Sequence, residues 1–149
     1  MSRIRGAKRL DLVVNLARRR REEADQYLRE SADRVSQAEK GLVQLEEYLQ
    51  EYMDASRLKQ GENLTALQLQ MPTAFIGRLR SSVSQQKQIV DEFRQQHLKI
   101  EEWWRKLYAR EKAIIKLQNK LRDQESIAEE KVLQKQIDEL WQNRPVNHI

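Results

Sequence analysis

The chain has no cysteine, two prolines, four glycines and two histidines. Without cysteine there is no disulfide framework and no thiolate site. His97 and His148 have no second His or Cys at metal-ligand spacing, so a metal centre is not expected. The glycines form no phosphate-cradling loop. No apolar run approaches the ~20 residues that span a bilayer. The N-terminus is charged but lacks the apolar core of a secretory signal, and the expected location is the cytoplasm. Few Gly and Pro also mean few chain breaks. What fills the space instead is Glu, Gln, Lys, Arg, Leu and Ala, the composition of long amphipathic helices.

Of the 149 residues, 39% are hydrophobic and 34% charged. The apolar ones fall in stripes rather than thick runs, which argues against a compact globule. Every seventh residue from Val14 gives Val14, Arg21, Leu28, Val35, Leu42 and Leu49. A companion row from Leu10 gives Leu10, Ala17, Ala24, Ser31, Ala38, Leu45 and Tyr52. The rows interleave at steps of three and four, the a and d seam of a left-handed coiled coil. This predicts a first helix from about Leu10 to Leu58, with Asp11 as a possible N-cap and Gly41 as an interior weak point. At 1.5 Å per residue it would be roughly 70 Å long.

Gln60-Gly61-Glu62-Asn63 is the turn signal, since Gly61 and Asn63 accept a positive φ. Residues 64–71 read either as a helical turn or as an irregular connection. Thr73 fits an N-cap, with Pro72 at N1 of a slightly earlier start as the alternative. A second helix is predicted from about Thr73 to Gln142, roughly 105 Å long. Its seam runs Leu79, Val83, Val90, Phe93, His97, Ile100, Trp104, Leu107, Ile114, Leu117 and Leu121. It weakens there and returns as Ala128, Val132, Ile137, Leu140 and Trp141. Pro145 stops it, leaving a loose tail. The expected fold is all-α. Two long helices form an antiparallel coiled-coil hairpin, a single domain over 1–149 with the turn at about 59–72 and the tail at 143–149. Tyr52 then faces Phe75, Tyr48 faces Leu79 and Leu45 faces Val83. The last part of the second helix outruns the first. Its apolar stripe favours a partner, since an exposed apolar face is usually an interface.

The net charge of +5 is uneven. Residues 1–21 hold eight bases against one acid, Asp11, for a net +7, and the remainder is close to neutral. The basic character thus reads as an N-terminal patch. It suits acidic protein, anionic lipid or nucleic acid, or is simply a solvated helix end.

A two-helix coil offers no concave pocket for catalysis, so no enzyme, cofactor or small-molecule substrate is expected. Carboxylate neighbours such as Glu46-Glu47 and Glu101-Glu102 read as solvated faces. His97 reads as a seam residue. Of Trp103-Trp104, only one can lie squarely on the seam, and Trp104 fits. Leu45, Tyr48, Tyr52, Phe75 and Leu79 make one apolar and aromatic cluster near the turn. Spacing alone leaves it open between local packing and a docking patch.

The run AEKGLVQLEEYLQEYMD over 38–54, then FIGRLRSSVSQQ over 75–86, then a Trp-rich helix and a helical tail, resembles the FliJ family. These are small coiled coils of the flagellar type III export apparatus. The resemblance covers essentially the whole chain and rests on the order of motifs and the LxxYxxxY…FxxxL spacing. It implies an antiparallel coiled coil like the central stalk of rotary ATPases. The implied partners are the hexameric flagellar export ATPase, the cytoplasmic domain of the large export-gate membrane protein, and export chaperones. The implied location is cytoplasmic, peripheral to the inner membrane at the flagellar base. By resemblance the gate-contacting surface falls on Leu45, Tyr48, Tyr52, Phe75, Leu79, Ser82 and Gln86. The end carrying both termini would enter the ATPase ring, through Leu10, Val13, Leu16, Arg18, Arg19, Arg20, Arg21, Ile137, Leu140 and Trp141. A monomer is expected in isolation.

Three rivals share parts of this pattern. One is a basic coiled coil that binds nucleic acid. It is disfavoured because Glu22-Glu23 follow the arginine run at once and no base-reading pattern is present. Another is the stalk of a virulence type III system. The third is a coiled-coil dimer pairing between chains.

Overall fold

The computed structural model describes residues 6–59 and 66–143, with backbone alone for residue 59 and residues 66–72. Two helices make up the described chain: α1, Gly6–Lys59, and α2, Ala66–Gln142. The fold is all-α, an antiparallel coiled-coil hairpin, as the interleaved apolar rows predict. The expected turn at Gln60–Asn63 and the tail with Pro145 lie outside the described residues.

The chain divides into two compact units. A terminal unit combines residues 1–23 with 105–149, and a middle unit spans 24–104. In the middle unit the seam of α1 runs Ala24, Leu28, Ser31, Val35, Ala38, Leu42, Leu45 and Leu49. The seam of α2 runs Ile76, Leu79, Val83, Gln86, Val90, Phe93, His97, Ile100 and Trp104. Both keep the three-four alternation of a heptad. The most enclosed positions are small or branched: Ala24, Ser31, Ala38, Val83 and Val90. Small residues let two helix backbones approach closely, and a two-stranded coil has no room for a thicker core.

In the terminal unit Ala7, Leu10, Val14, Ala17 and Arg21 of α1 turn inward, with Leu107, Glu111, Ile114, Gln118, Leu121 and Glu125 of α2. Glu111 and Gln118 are among the most buried side chains. Each has a partner. Arg21 Nε donates to Glu111 Oε2 at 2.6 Å. Gln118 Nε2 donates to the Ala7 carbonyl at 2.9 Å and to the Asp11 carboxylate.

Four expectations need correction. Helix α1 starts at Gly6, not near Leu10, so Asp11 is no N-cap. The first turn is capped from α2 instead, where the Glu125 carboxylate accepts the Ala7 N–H at 3.2 Å. A tertiary carboxylate satisfies an orphan donor as well as a local one does. Helix α2 starts at Ala66, not Thr73, so Thr73 is no N-cap and Pro72 lies inside the helix. The preceding Ala, Leu, Gln and Met residues are strong helix formers. They carry the helix past a proline that forfeits one backbone hydrogen bond. Tyr52 is exposed, and Met53 takes the inward place. Leu117 is 48% exposed while Gln118 takes the seam. In the last case the hydrogen bonds to Ala7 and Asp11 make the polar side chain the one that fits inside.

Gly41 has a packing reason to be glycine. A Cβ there would come within 3.2 Å of Gln86 Nε2. That nitrogen donates to the Ala38 carbonyl at 3.0 Å. Gly41→Ala is therefore expected to gain helix propensity of up to ~1 kcal/mol and lose about as much by disturbing Gln86. In a Gln86→Ala background the same substitution should stabilise by about 1 kcal/mol. Denaturant midpoints of the four variants test it. Equal gains in both backgrounds would rule out the steric coupling.

Candidate functional site

Two surfaces gather the side chains that could meet a partner. The first lies in the middle unit. Tyr48 is 53% exposed, Tyr52 47% and Phe75 39%. The Tyr52 and Phe75 rings lie 4.6 Å apart, tilted by 59°. Leu45, Leu79 and Ser82 are half-buried. Gln86 is also half-buried, with its amide committed to the Ala38 carbonyl. Tyr52 lies opposite Phe75, as the expected register has it. This arrangement is a stiff aromatic platform. Tyrosine and phenylalanine offer much contact area with few rotatable bonds, which suits a protein interface better than catalysis.

Further along the same unit the Trp103-Trp104 pair splits as expected. Trp104 turns inward and its indole N–H donates to Asp25. Trp103 lies at the edge, its ring centroid 5.9 Å from that of Tyr27. His97 is likewise a seam residue, with Nδ1 at 2.7 Å from Ser31 Oγ. The serine hydroxyl also reaches the Leu28 carbonyl at 3.0 Å. A hydroxyl carries one proton. With it on Leu28, His97 Nδ1 is the donor to Ser31. Among the described residues no cluster of His, Cys, Asp or Glu has metal-site geometry.

The second surface lies in the terminal unit. Val13 and Leu16 of α1 are exposed, and Leu10 is half-buried. Arg18, Arg19 and Arg20 point outward. Arg18 Nε lies 3.9 Å from the Glu111 carboxylate. Arg21 differs from its neighbours. Its side chain is 24% exposed and it pairs with Glu111, itself 9% exposed. It therefore belongs to the packing between the helices. On α2, Ile137, Leu140 and Trp141 are exposed, along with Val132 and Leu133.

The basic patch is wider than an N-terminal count shows. Residues 105–122 hold seven bases (Arg105, Lys106, Arg110, Lys112, Lys116, Lys120 and Arg122) and a single acid, Glu111. Glu111 is buried against Arg21, so its charge is neutralised inside. The terminal unit joins this stretch to residues 6–23. A charge count in short windows along the second helix would have found it. Totals over the whole remainder hide it behind acids elsewhere.

A family model described as Flagellar FliJ protein matches residues 7–148. The chain belongs to that family. No curated protein and no solved structure matches it. Membership makes this a flagellar, export-related coiled-coil protein of a non-catalytic family. Within this FliJ-family chain, no helix among the described residues is long and apolar enough to cross a membrane.

Proposed function

We propose that this chain is a central-stalk-like coiled coil linking the hexameric flagellar export ATPase to the export gate, and a contact for export chaperones. It would work as a soluble protein, peripheral to the inner membrane at the flagellar base. The observation that supports the reading is that the exposed aromatic residues belong to one unit and the exposed apolar and basic residues to the other. The aromatic platform of Tyr48, Tyr52 and Phe75 is in the middle unit, with Leu45, Leu79, Ser82 and Gln86 around it. It would dock the cytoplasmic domain of the large export-gate protein. The exposed apolar and basic residues of the terminal unit would enter the ATPase ring. Leu10, Val13, Leu16, Ile137, Leu140 and Trp141 supply apolar contact. Arg18, Arg19 and Arg20 supply charge, and Arg21 holds the two helices together beneath them. The seven bases of residues 105–122 make that surface strongly positive and fit a carboxylate-rich wall.

Deleting residues 137–149 tests the ring assignment. Ile137, Leu140 and Trp141 are exposed, so their loss removes little from the fold. Pull-downs should show ATPase binding reduced at least tenfold, with gate binding and helicity retained. Full ATPase binding by the truncated chain would count against the assignment.

A further inference from the structure

The middle unit carries a cleft that neither surface uses. Its volume is about 420 Å³, and it lies between Met53, Ser56 and Arg57 of α1 and Ile76, Gly77 and Arg80 of α2. Met53 and Ile76 are half-buried and give it an apolar floor. Arg57 and Arg80 are exposed on the two helices beside it. Among the described residues no carboxylate lines the cleft. Among the described residues neither guanidinium has an ion-pair partner, and Arg80 makes a weak contact to the Met53 sulfur at 4.0 Å. Arg21, Arg94 and Arg122, by contrast, all meet carboxylates.

Gly77 adds a second observation. It has ordinary helical backbone, so no left-handed conformation calls for glycine. A Cβ built on it meets nothing within 4 Å. Packing does not call for glycine either. What the missing side chain does is leave the α2 backbone open to close approach from the cleft.

We propose that this cleft is a binding site for an acidic protein segment, one that sets a carboxylate beside an apolar side chain. The carboxylate would take the Arg57 and Arg80 guanidiniums, which recognise planar anions by paired N–H donors. The apolar side chain would lie on Met53 and Ile76, where methionine adapts to different shapes. The segment's backbone would pass over Gly77. A free phosphate would leave the apolar floor unused, and two arginines are too few to hold a polyanion against salt. The cleft stands on these observations alone, apart from the gate and ATPase assignments.

The test uses the full-length chain, isotope-labelled, with the Gly77 amide as the reporter in the nitrogen–proton spectrum. The probe is a hexapeptide alternating glutamate and phenylalanine. Its controls are the same peptide with lysine for glutamate, inorganic phosphate, and a single-stranded oligonucleotide. The glutamate peptide is expected to shift Gly77 saturably and the three controls are not. Gly77→Leu adds a side chain where a Cβ meets nothing within 4 Å, and should weaken the peptide about tenfold or more at unchanged helicity, read by peptide fluorescence. Arg57→Gln with Arg80→Gln should weaken it as much and flatten its salt dependence. No binding of the glutamate peptide, equal binding of the lysine peptide, tighter binding of phosphate or oligonucleotide, or undiminished binding by either variant would overturn the proposal.

Discussion

Tyr48→Ala is expected to abolish gate binding and motility while leaving the helices intact. An aromatic anchor buried at an interface costs about 2 kcal/mol or more when truncated, which is about 30-fold in affinity. The same ring contributes little to this fold, because it is 53% exposed. Interface loss should therefore exceed stability loss by a wide margin. Phe75→Ala should come next. Phe75 is 39% exposed and its ring packs at a tilt against Tyr52, so a modest loss of stability accompanies the loss of binding. Leu79→Ala is the informative contrast. Leu79 is half-buried at the seam, so its truncation removes packing as well as any gate contact. Circular dichroism melts together with pull-downs of gate domain and ATPase separate the two effects. If Tyr48→Ala lowers the melting temperature and both partner affinities together, the ring is structural and the docking assignment falls.

The backbone plan was legible because α1 writes its seam in residues that are easy to see. Val14, Ala17, Ala24, Leu28, Ser31, Val35, Ala38, Leu42, Leu45 and Leu49 are inward as the heptad requires. The second helix was legible only in part, because its seam is interrupted by Gln86, Glu111, Gln118 and Glu125. An apolar reading passes over these positions or substitutes a neighbour, as with Leu117. The signal was nevertheless present. Phe93, Ile100, Leu107, Ile114 and Leu121 stand seven apart, so one apolar row stays unbroken from 93 to 121. Polar residues midway between them must face the same way. What the sequence alone could not supply was their partners. Gln118 is satisfied by Ala7 and Asp11 and Glu111 by Arg21, each across about a hundred residues of chain. The start of α1 is not legible locally for the same reason, since its Ala7 N–H is satisfied by Glu125 of α2. The aromatic cluster near the turn is legible from residue spacing, and the docking role proposed for it comes from the family resemblance. The basic stretch at 105–122 is hidden in the charge total of residues 22–149 because acids elsewhere balance it.

The buried charge at Glu111 carries the largest expected effect on folding. Its side chain is 9% exposed, and Arg21 at 24% lies against it with a 2.6 Å contact between Nε and Oε2. A second Arg21 nitrogen reaches Oε1 at 3.4 Å, so the pair is close to bidentate. Arg18 adds a longer contact at 3.9 Å. A carboxylate this enclosed is tolerated only because the guanidinium compensates its lost hydration. Arg21→Ala should therefore cost about 3 kcal/mol, the penalty for leaving a buried charge unpaired. Glu111→Ala should cost somewhat less, because the long arginine can swing its charge toward water. The double variant Arg21→Met with Glu111→Leu restores apolar packing at both seam positions and should regain most of the loss. Additive losses in the double variant would mean the two side chains act independently, contrary to their geometry. Near-complete recovery would show that the pair sets which residues face each other rather than adding net stability, as polar groups in coiled-coil seams can do. The ATPase pull-down adds a readout that stability does not move. If Arg21 is a packing residue beneath the basic surface, the recovered double variant binds the ring as the parent does. Weak ring binding by a variant with a restored melting temperature would put Arg21 itself at the contact.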